Sequence, residues 1–316
     1  MFKYILKRIV AMIITMFLIM TLSFIMIKLM PQDVFRNAET PKELQAKLEA
    51  KLHLNEPIYV QYFYYISDIV TKFDFGISYK LRPSVPVFSV ITSKIPISML
   101  LNVFSLLISL PLGIIFGTIA ALKRNKLPDH LISFLVVIFI SVPSFVFASL
   151  LQYTLTYIWP VFPTLYDVSA VSFGAMIYSL ALPIIALALN PIATLARYLR
   201  GELIENLNSE YLLLARTKGL TRTQATVRHA FRNSLVPLMN MLIYMFTGIL
   251  GGSLVIESIF GIPGMGGALI ESTKAGDHFL TLALLIFYSA ISVVTELIVD
   301  ISYGLVDPRI RIGGGK

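Results

Sequence analysis

Cysteine is absent from the 316-residue chain, which excludes disulfide staples, thiolate metal ligands and thiol nucleophiles. Histidine is nearly as scarce: His53, His130, His229 and His278 are scattered, and none has the spacing of a metal-binding pair such as HExxH. Charge is thin as well, at 14% of residues against 56% hydrophobic, with a mean hydropathy of +0.78. A soluble domain of this length carries more charge, so the class is an integral membrane protein. The remaining nucleotide-like words are fragments. Asp74-Phe75-Gly76 spells a kinase tripeptide without a glycine loop or catalytic loop, and Gly313-Gly314-Gly315-Lys316 has no following Ser/Thr or helix to hold phosphate. No nucleotide site, cofactor or metal site is expected in this chain. Any energy for its work must come from another chain or from a gradient.

Apolar runs are what the chain does have. A hydrocarbon core of roughly 30 Å needs about 20 apolar residues at about 1.5 Å rise each. Six segments reach that length: Ile9–Met30, Ile97–Leu122, Leu131–Tyr157, Ala175–Ala196, Leu235–Ile256 and Phe279–Tyr303. They lack period-two alternation, so the expected fold is an all-α multi-pass membrane protein with six transmembrane helices. The first run is too long for a cleavable signal and is read as a signal anchor over residues 1–30. A long extracytoplasmic segment, 31–96, follows it; a five-helix core, 97–303, and a cytoplasmic tail, 304–316, complete the division.

The net charge of +8 is distributed by side. Lys3, Lys7 and Arg8 precede the first span, Lys123, Arg124 and Lys126 fill the second connection, and Arg309, Arg311 and Lys316 follow the last span. The connection between the fourth and fifth spans, 197–234, is the richest, with Arg197, Arg200, Arg216, Lys218, Arg222, Arg228 and Arg232. The positive-inside rule then puts both termini and this connection in the cytoplasm of a cell membrane protein. Membrane topology accounts for the positive charge, and no nucleic-acid partner is needed.

Within 31–96, Thr40-Pro41-Lys42-Glu43 reads as a helix start, with Leu44, Leu48 and Leu52 recurring behind it. Tyr59 to Tyr65 is rich in aromatics suited to the lipid interface. Pro111, Pro143, Pro183 and Pro191 fall inside spans, where they kink helices or free carbonyls, and such defects belong in a bundle around a pathway. Gly251-Gly252, Gly261, Pro263-Gly264 and Gly266-Gly267 read as a tight, re-entrant turn on the outer face. Glu296 and Asp300 lie four apart on one face of the last span. Their place in its last turns favours a tie to headgroup-level cations over a proton relay.

The polar connection has its own grammar. Asn208 or Ser209 can cap a helix running to Lys218, and Gly219 supplies a left-handed stop. Thr221-Arg222-Thr223-Gln224 is a capping box opening a second helix, with Val227, Ala230, Phe231, Ser234 and Leu235 on one face. Two capped helices joined by a glycine and continuous with a span form a lever, which an unstructured loop cannot.

ARTKG followed by TRTQATVRHAFRNSLVP resembles the cytoplasmic coupling loop of permease subunits of ABC importers, in the peptide class. Leu54-Asn55-Glu56-Pro57-Ile58-Tyr59-Val60-Gln61-Tyr62, Asp74-Phe75-Gly76-Ile77-Ser78, Val142-Pro143-Ser144-Phe145, Val255-Ile256-Glu257-Ser258-Ile259-Phe260 and Asp307-Pro308-Arg309 are similar to the B-type permease of oligopeptide, dipeptide and nickel importers. Leu213 and Leu214 stand where the general loop pattern has Glu and Ala. The resemblance implies a permease fold, a second homologous permease subunit, two cytoplasmic ATPases that bind ATP-Mg, and an extracytoplasmic peptide-binding protein. It implies that Ala215, Arg216, Thr217, Lys218, Gly219, Leu220, Thr221 and Arg222 couple the chain to an ATPase and that the chain itself catalyses nothing. Oligopeptides are the first substrate reading, with dipeptides, nickel chelates and oligosaccharides as alternatives. Asn102, Gln152 and Asn190 are the polar residues that would line the pathway. A gradient-driven transporter or channel is the rival from another class, and a membrane-embedded enzyme a further one.

Overall fold

The computed structural model describes residues 2–29, 43, 46, 49–50, 53, 56–247, 249 and 253–306. Thr40-Pro41-Lys42, Leu44, Leu48, Leu52, Leu54-Asn55, Gly251-Gly252 and 307–316, which carried expectations above, lie outside them. Among the described residues, four helices are long and apolar enough to cross a membrane: α1 (Phe2–Leu29) through its stretch Ile5–Leu29, α3 (Val87–Leu122), α6 (Phe173–Leu207) and α13 (His278–Val306) through His278–Ile301. Between α1 and α3 lie α2 (Ile58–Lys72) and a two-residue ribbon, β1 (Ile77–Ser78) antiparallel to β2 (Val85–Pro86). The chain is an all-α multi-pass membrane protein.

The expected third span is a bent pair. α4 (Leu127–Ser141) and α5 (Ser144–Gln152), the latter extended by a π-helical turn Tyr153–Ile158, meet at 101°. Pro143 cannot donate a helical hydrogen bond and holds Val142 extended (φ −96°, ψ 128°), so the helix stops there. Pro183 and Pro191 behave differently, lying inside an unbroken α6, and Pro111 inside an unbroken α3. α3 also starts ten residues before the expected Ile97, because Ser89, Thr92, Ser93 and Lys94 dilute the apolar signal of its first turns. The fifth expected span is not one helix over 235–256. Its described residues give α10 (Met239–Thr247) and α11 (Leu254–Ile259), with a turn over 236–238 that contains Pro237.

The chain divides into two compact units. The first comprises Met1–Ser98, Leu250–Leu254 and Pro263–Ile298. Its core joins Val87, Val90 and Ile91 with Met265 and Ala268 of α12 (Met265–Ala275) and with Phe279 to Leu284 of α13. Asp277, fully buried before α13, accepts from Ser78 Oγ at 2.5 Å and from the N–H groups of Lys80 and Leu81 at 3.1 Å. A buried carboxylate must be satisfied in this way. Beside it the Tyr79 hydroxyl donates to the Gly276 carbonyl at 2.5 Å. Burial, helped by the Asp277 charge, pushes that phenol up to about 12. Gly266 lacks a side chain for a reason: a Cβ there would sit 2.6 Å from the Leu254 nitrogen.

The second unit comprises Met99–Ile249, Val255–Ile262 and Val299–Lys316. α6 is its spine, opened by Ser172, whose Oγ accepts from the Ala175 N–H at 3.1 Å. α4 and α5 pack along it, with Val136 against Ala193 and Ala196. α3 approaches it closely through Gly113 and Gly117, where a Cβ would fall 2.9 Å from Leu195 Cβ and 2.8 Å from the Ala196 carbonyl oxygen. Small residues four apart in sequence are how two spans touch without a hydrophobic drive.

Candidate coupling elbow

α6 continues past the end of its apolar run to Leu207, and there the chain folds back on itself. Asn208 closes α6, Ser209 opens α7 (Glu210–Thr217), and Glu210 in the first turn with Arg216 in the last suits the helix dipole. Ser209 does not cap with its side chain; its hydroxyl donates back to the Asn206 carbonyl at 2.6 Å. At the other end of α7 the Gly219 N–H reaches the Arg216 carbonyl at 3.0 Å and the Leu220 N–H reaches the Ala215 carbonyl at 3.3 Å. That pair of bonds is a Schellman closure, which needs a left-handed residue between them. Gly219 supplies it, at φ +94°.

The capping box expected at Thr221 is present in full. Thr221 Oγ1 accepts from the Gln224 N–H at 3.3 Å and Gln224 Oε1 from the Thr221 N–H at 3.0 Å, opening α8 (Arg222–Ala225). A π-helical turn, Thr226–Phe231, then leads into α9 (Arg232–Leu235). This turn alters the expected face. Ala230 and Ser234 are buried, but the extra residue per turn rotates Val227 outward, leaving it 60% exposed.

The inner side of the elbow packs as one cluster, in which Leu212, Ala225 and Ala230 sit with Leu203 of α6 and Ala121 at the end of α3. Asn206 is the clasp. Its amide donates to Ser234 Oγ at 3.0 Å and its carbonyl oxygen accepts from the Tyr211 hydroxyl, so three segments close on one side chain. Ser234 in turn donates to the Ala230 carbonyl at 2.7 Å. A second tie lies on the same side of the unit. Asp129 of α4, 2% exposed, receives Arg200 of α6 in a two-pronged pair at 2.6 and 2.8 Å, plus the Asn125 N–H at 2.9 Å and Ser133 Oγ at 3.3 Å. The sequence reading missed both; the signal for the pair was an acid two residues ahead of the apolar run that starts at Leu131, beside a basic connection.

The eight residues predicted to couple divide by direction. Ala215 and Leu220 turn inward and pack on the Leu203–Leu212 cluster. Arg216, Thr217, Lys218, Gly219, Thr221 and Arg222 are exposed, and nothing lies within 4 Å of where a Gly219 Cβ would be. Beside them Leu213, Leu214 and Val227 are exposed too, so the outer face is apolar and basic together. Large apolar side chains among basic ones set this face apart from an ordinary solvated loop.

The three pathway candidates are not brought together. Gln152 donates to the carbonyls of Thr164 at 2.7 Å and Ile259 at 3.4 Å, and Asn190 donates to Phe139 at 3.4 Å, so each ties two segments. Asn102 donates to the Ile249 carbonyl at 3.0 Å and borders a cavity among α3, α6 and α10. Glu296, exposed, and Asp300, half-buried, lie one turn apart on α13. Among the described residues no cluster of three His, Asp or Glu side chains could hold a metal ion.

Comparison with known proteins agrees with this architecture. Residues 113–312 match the family described as "Binding-protein-dependent transport system inner membrane component", and residues 1–110 match its N-terminal counterpart. The chain is 38% identical over 313 residues to the dipeptide transport system permease protein DppB of Lactococcus lactis subsp. cremoris, spanning 99% of this chain and 100% of the relative. It is 37% identical to the oligopeptide transport system permease protein OppB of Escherichia coli K12, covering 98% of this chain and 100% of that one. The oligopeptide permease of Haemophilus influenzae is 36% identical over the same shares.

Proposed function

This chain belongs to the inner membrane components of binding-protein-dependent transport systems, and we propose that it is the permease subunit through which an ATP-driven importer carries peptides into the cell. Relatives named for dipeptide and for oligopeptide transport, aligned over nearly the whole chain, support peptides as the substrate class. Oligopeptides are the first reading and dipeptides the second. The partners that follow are a second homologous permease, two cytoplasmic ATPases holding ATP-Mg, and an extracytoplasmic peptide-binding protein. In this reading the chain is not an enzyme and binds no cofactor; it supplies a pathway and a lever.

The observation that carries the lever is the doubly capped elbow around Gly219. Its inner face is anchored to α6 and α3, and its outer face presents Leu213, Leu214 and Val227 among Arg216, Lys218 and Arg222. A short capped helix pair with an apolar, basic face fits a groove on an ATPase. Closure of the ATPases around nucleotide then displaces the elbow, and α6 transmits the displacement into the membrane block. Nucleotide acts by binding one conformation of the whole complex better than the other and shifting its population. With cytoplasmic termini, as the charge distribution implies, the elbow lies on the ATPase side.

Peptide uptake by the reconstituted complex tests the reading. Uptake should require ATP hydrolysis and the binding protein, and a cysteine placed at Lys218 should cross-link to an ATPase subunit. Uptake that persists without the ATPases would favour a gradient-driven carrier instead. Competition among dipeptides, longer peptides and nickel chelates ranks the substrates.

A further inference from the structure

A cavity of about 190 Å³ lies within the second unit among α3, α6 and α10. Asn102, Ser105 and Ser109 line it from α3 at positions i, i+3 and i+7, hence from one helical face. Leu187 and Pro191 line it from α6 and Tyr244 from α10. Ser105 and Ser109 fall in the middle of the 97–122 run, and Pro191 at the centre of α6, so the cavity is at mid-membrane depth.

Two features separate this cavity from ordinary helix glue. Ser105 is only 6% exposed, yet among the described residues its hydroxyl has no hydrogen-bond partner, whereas Asn102 and Ser109 donate to the carbonyls of Ile249 and Leu106. The hydroxyl oxygen is not itself sealed among the buried unpaired atoms, so it opens onto the cavity, and a polar group without a partner at membrane depth is costly unless something in that space satisfies it. Pro191, in turn, has no N–H for the carbonyl of Leu187, its helical acceptor, so α6 loses one internal bond at the cavity wall. A donor–acceptor hydroxyl and the residue whose carbonyl Pro191 leaves without its usual helical donor thus border the same space.

We propose that this cavity is a subsite for the main chain of a peptide in transit. The Ser105 hydroxyl takes a substrate carbonyl or N–H, and the Leu187 carbonyl takes an N–H. Main-chain groups are the features all peptides share, so a site that reads them tolerates any sequence. The apolar walls, including the adaptable Met245, accept differing side chains. Volume sets the scale. The cavity exceeds the roughly 10–15 Å³ that one water requires but falls short of the roughly 300 Å³ at which whole-ligand sites begin, so it holds part of a substrate. The proposal rests on the peptide-import reading above.

The complete transporter in proteoliposomes, with binding protein and ATP, tests it using radiolabelled dialanine, trialanine and pentaalanine. Ser105→Leu should lower uptake about tenfold, and Ser105→Thr, which keeps the hydroxyl, should retain most of it. Neither should change the cross-link from position 218 to the ATPase. Ser105→Cys creates the sole thiol of this chain; a small water-soluble maleimide should label it, and the alanine peptides should slow that labelling during turnover. Undiminished uptake by Ser105→Leu, or labelling indifferent to peptide, overturns the subsite and leaves the importer reading standing. If the unaltered transporter imports none of the three peptides, the peptide reading fails and the subsite with it.

Discussion

Asp129 exchanges water for four hydrogen bonds, two from Arg200 and one each from Asn125 and Ser133. Removing it strands a guanidinium that is 32% exposed, so Asp129→Ala should cost about 2 kcal/mol, less than a fully buried pair would. Thermal unfolding of the detergent-solubilised protein checks this, and Asp129→Asn, which keeps acceptor oxygen, should lose less. At Asn206 the expectation concerns order rather than global stability. Asn206→Ala should raise amide exchange in 209–235 selectively, because Tyr211 and Ser234 lose their shared partner. Neither residue was read from the sequence, since the main partner of Asp129 lies 71 residues away and the Ser234 end of the Asn206 clasp lies 28 away. Thr221 was legible, because a capping box is complete within four residues.

An element such as the elbow can be read from sequence when its signals are local. Gly219 was found as a left-handed stop because only glycine takes φ near +94° without strain, and Gly219→Pro, fixed near −65°, removes the closure. That variant should reach the membrane at normal levels but no longer couple ATP hydrolysis to peptide uptake; normal uptake with normal ATPase stimulation would overturn the coupling role. Thr221→Ala should weaken α8 by about 1 kcal/mol, visible as lower elbow protection in hydrogen exchange. The outward turn of Val227 escaped prediction, because a constant helical period cannot anticipate a π-helical turn. Missed for a different reason was the Gly113–Gly117 spacing, an available small-xxx-small signal. Gly117→Ala should overpack against the Ala196 carbonyl and cost about 1–3 kcal/mol in the same unfolding assay.

At the scale of the molecule, composition and run length gave the membrane class and four of the long helices, while breaks at Pro143 and around Pro237 divided the other two. Hydropathy reports how much apolar chain there is, not whether its backbone stays straight. Sidedness is the remaining expectation. With no native thiol to interfere, a cysteine at Lys218 should react only with reagents admitted to the cytoplasm, and one at Glu56 only from outside; the reverse pattern would invert the topology. Contact between α3 and α6 at Gly113 and Gly117 has a mechanical consequence. Helices in such intimate register travel as a single plank, and the clustered Ala121, Leu203 and Leu212 fasten the elbow to both of its timbers. Under the coupling role proposed above, a stroke on the elbow reaches α3 and α6 together, and α10, beyond the proline-bearing bend at 236–238, is the one cavity wall outside that pair.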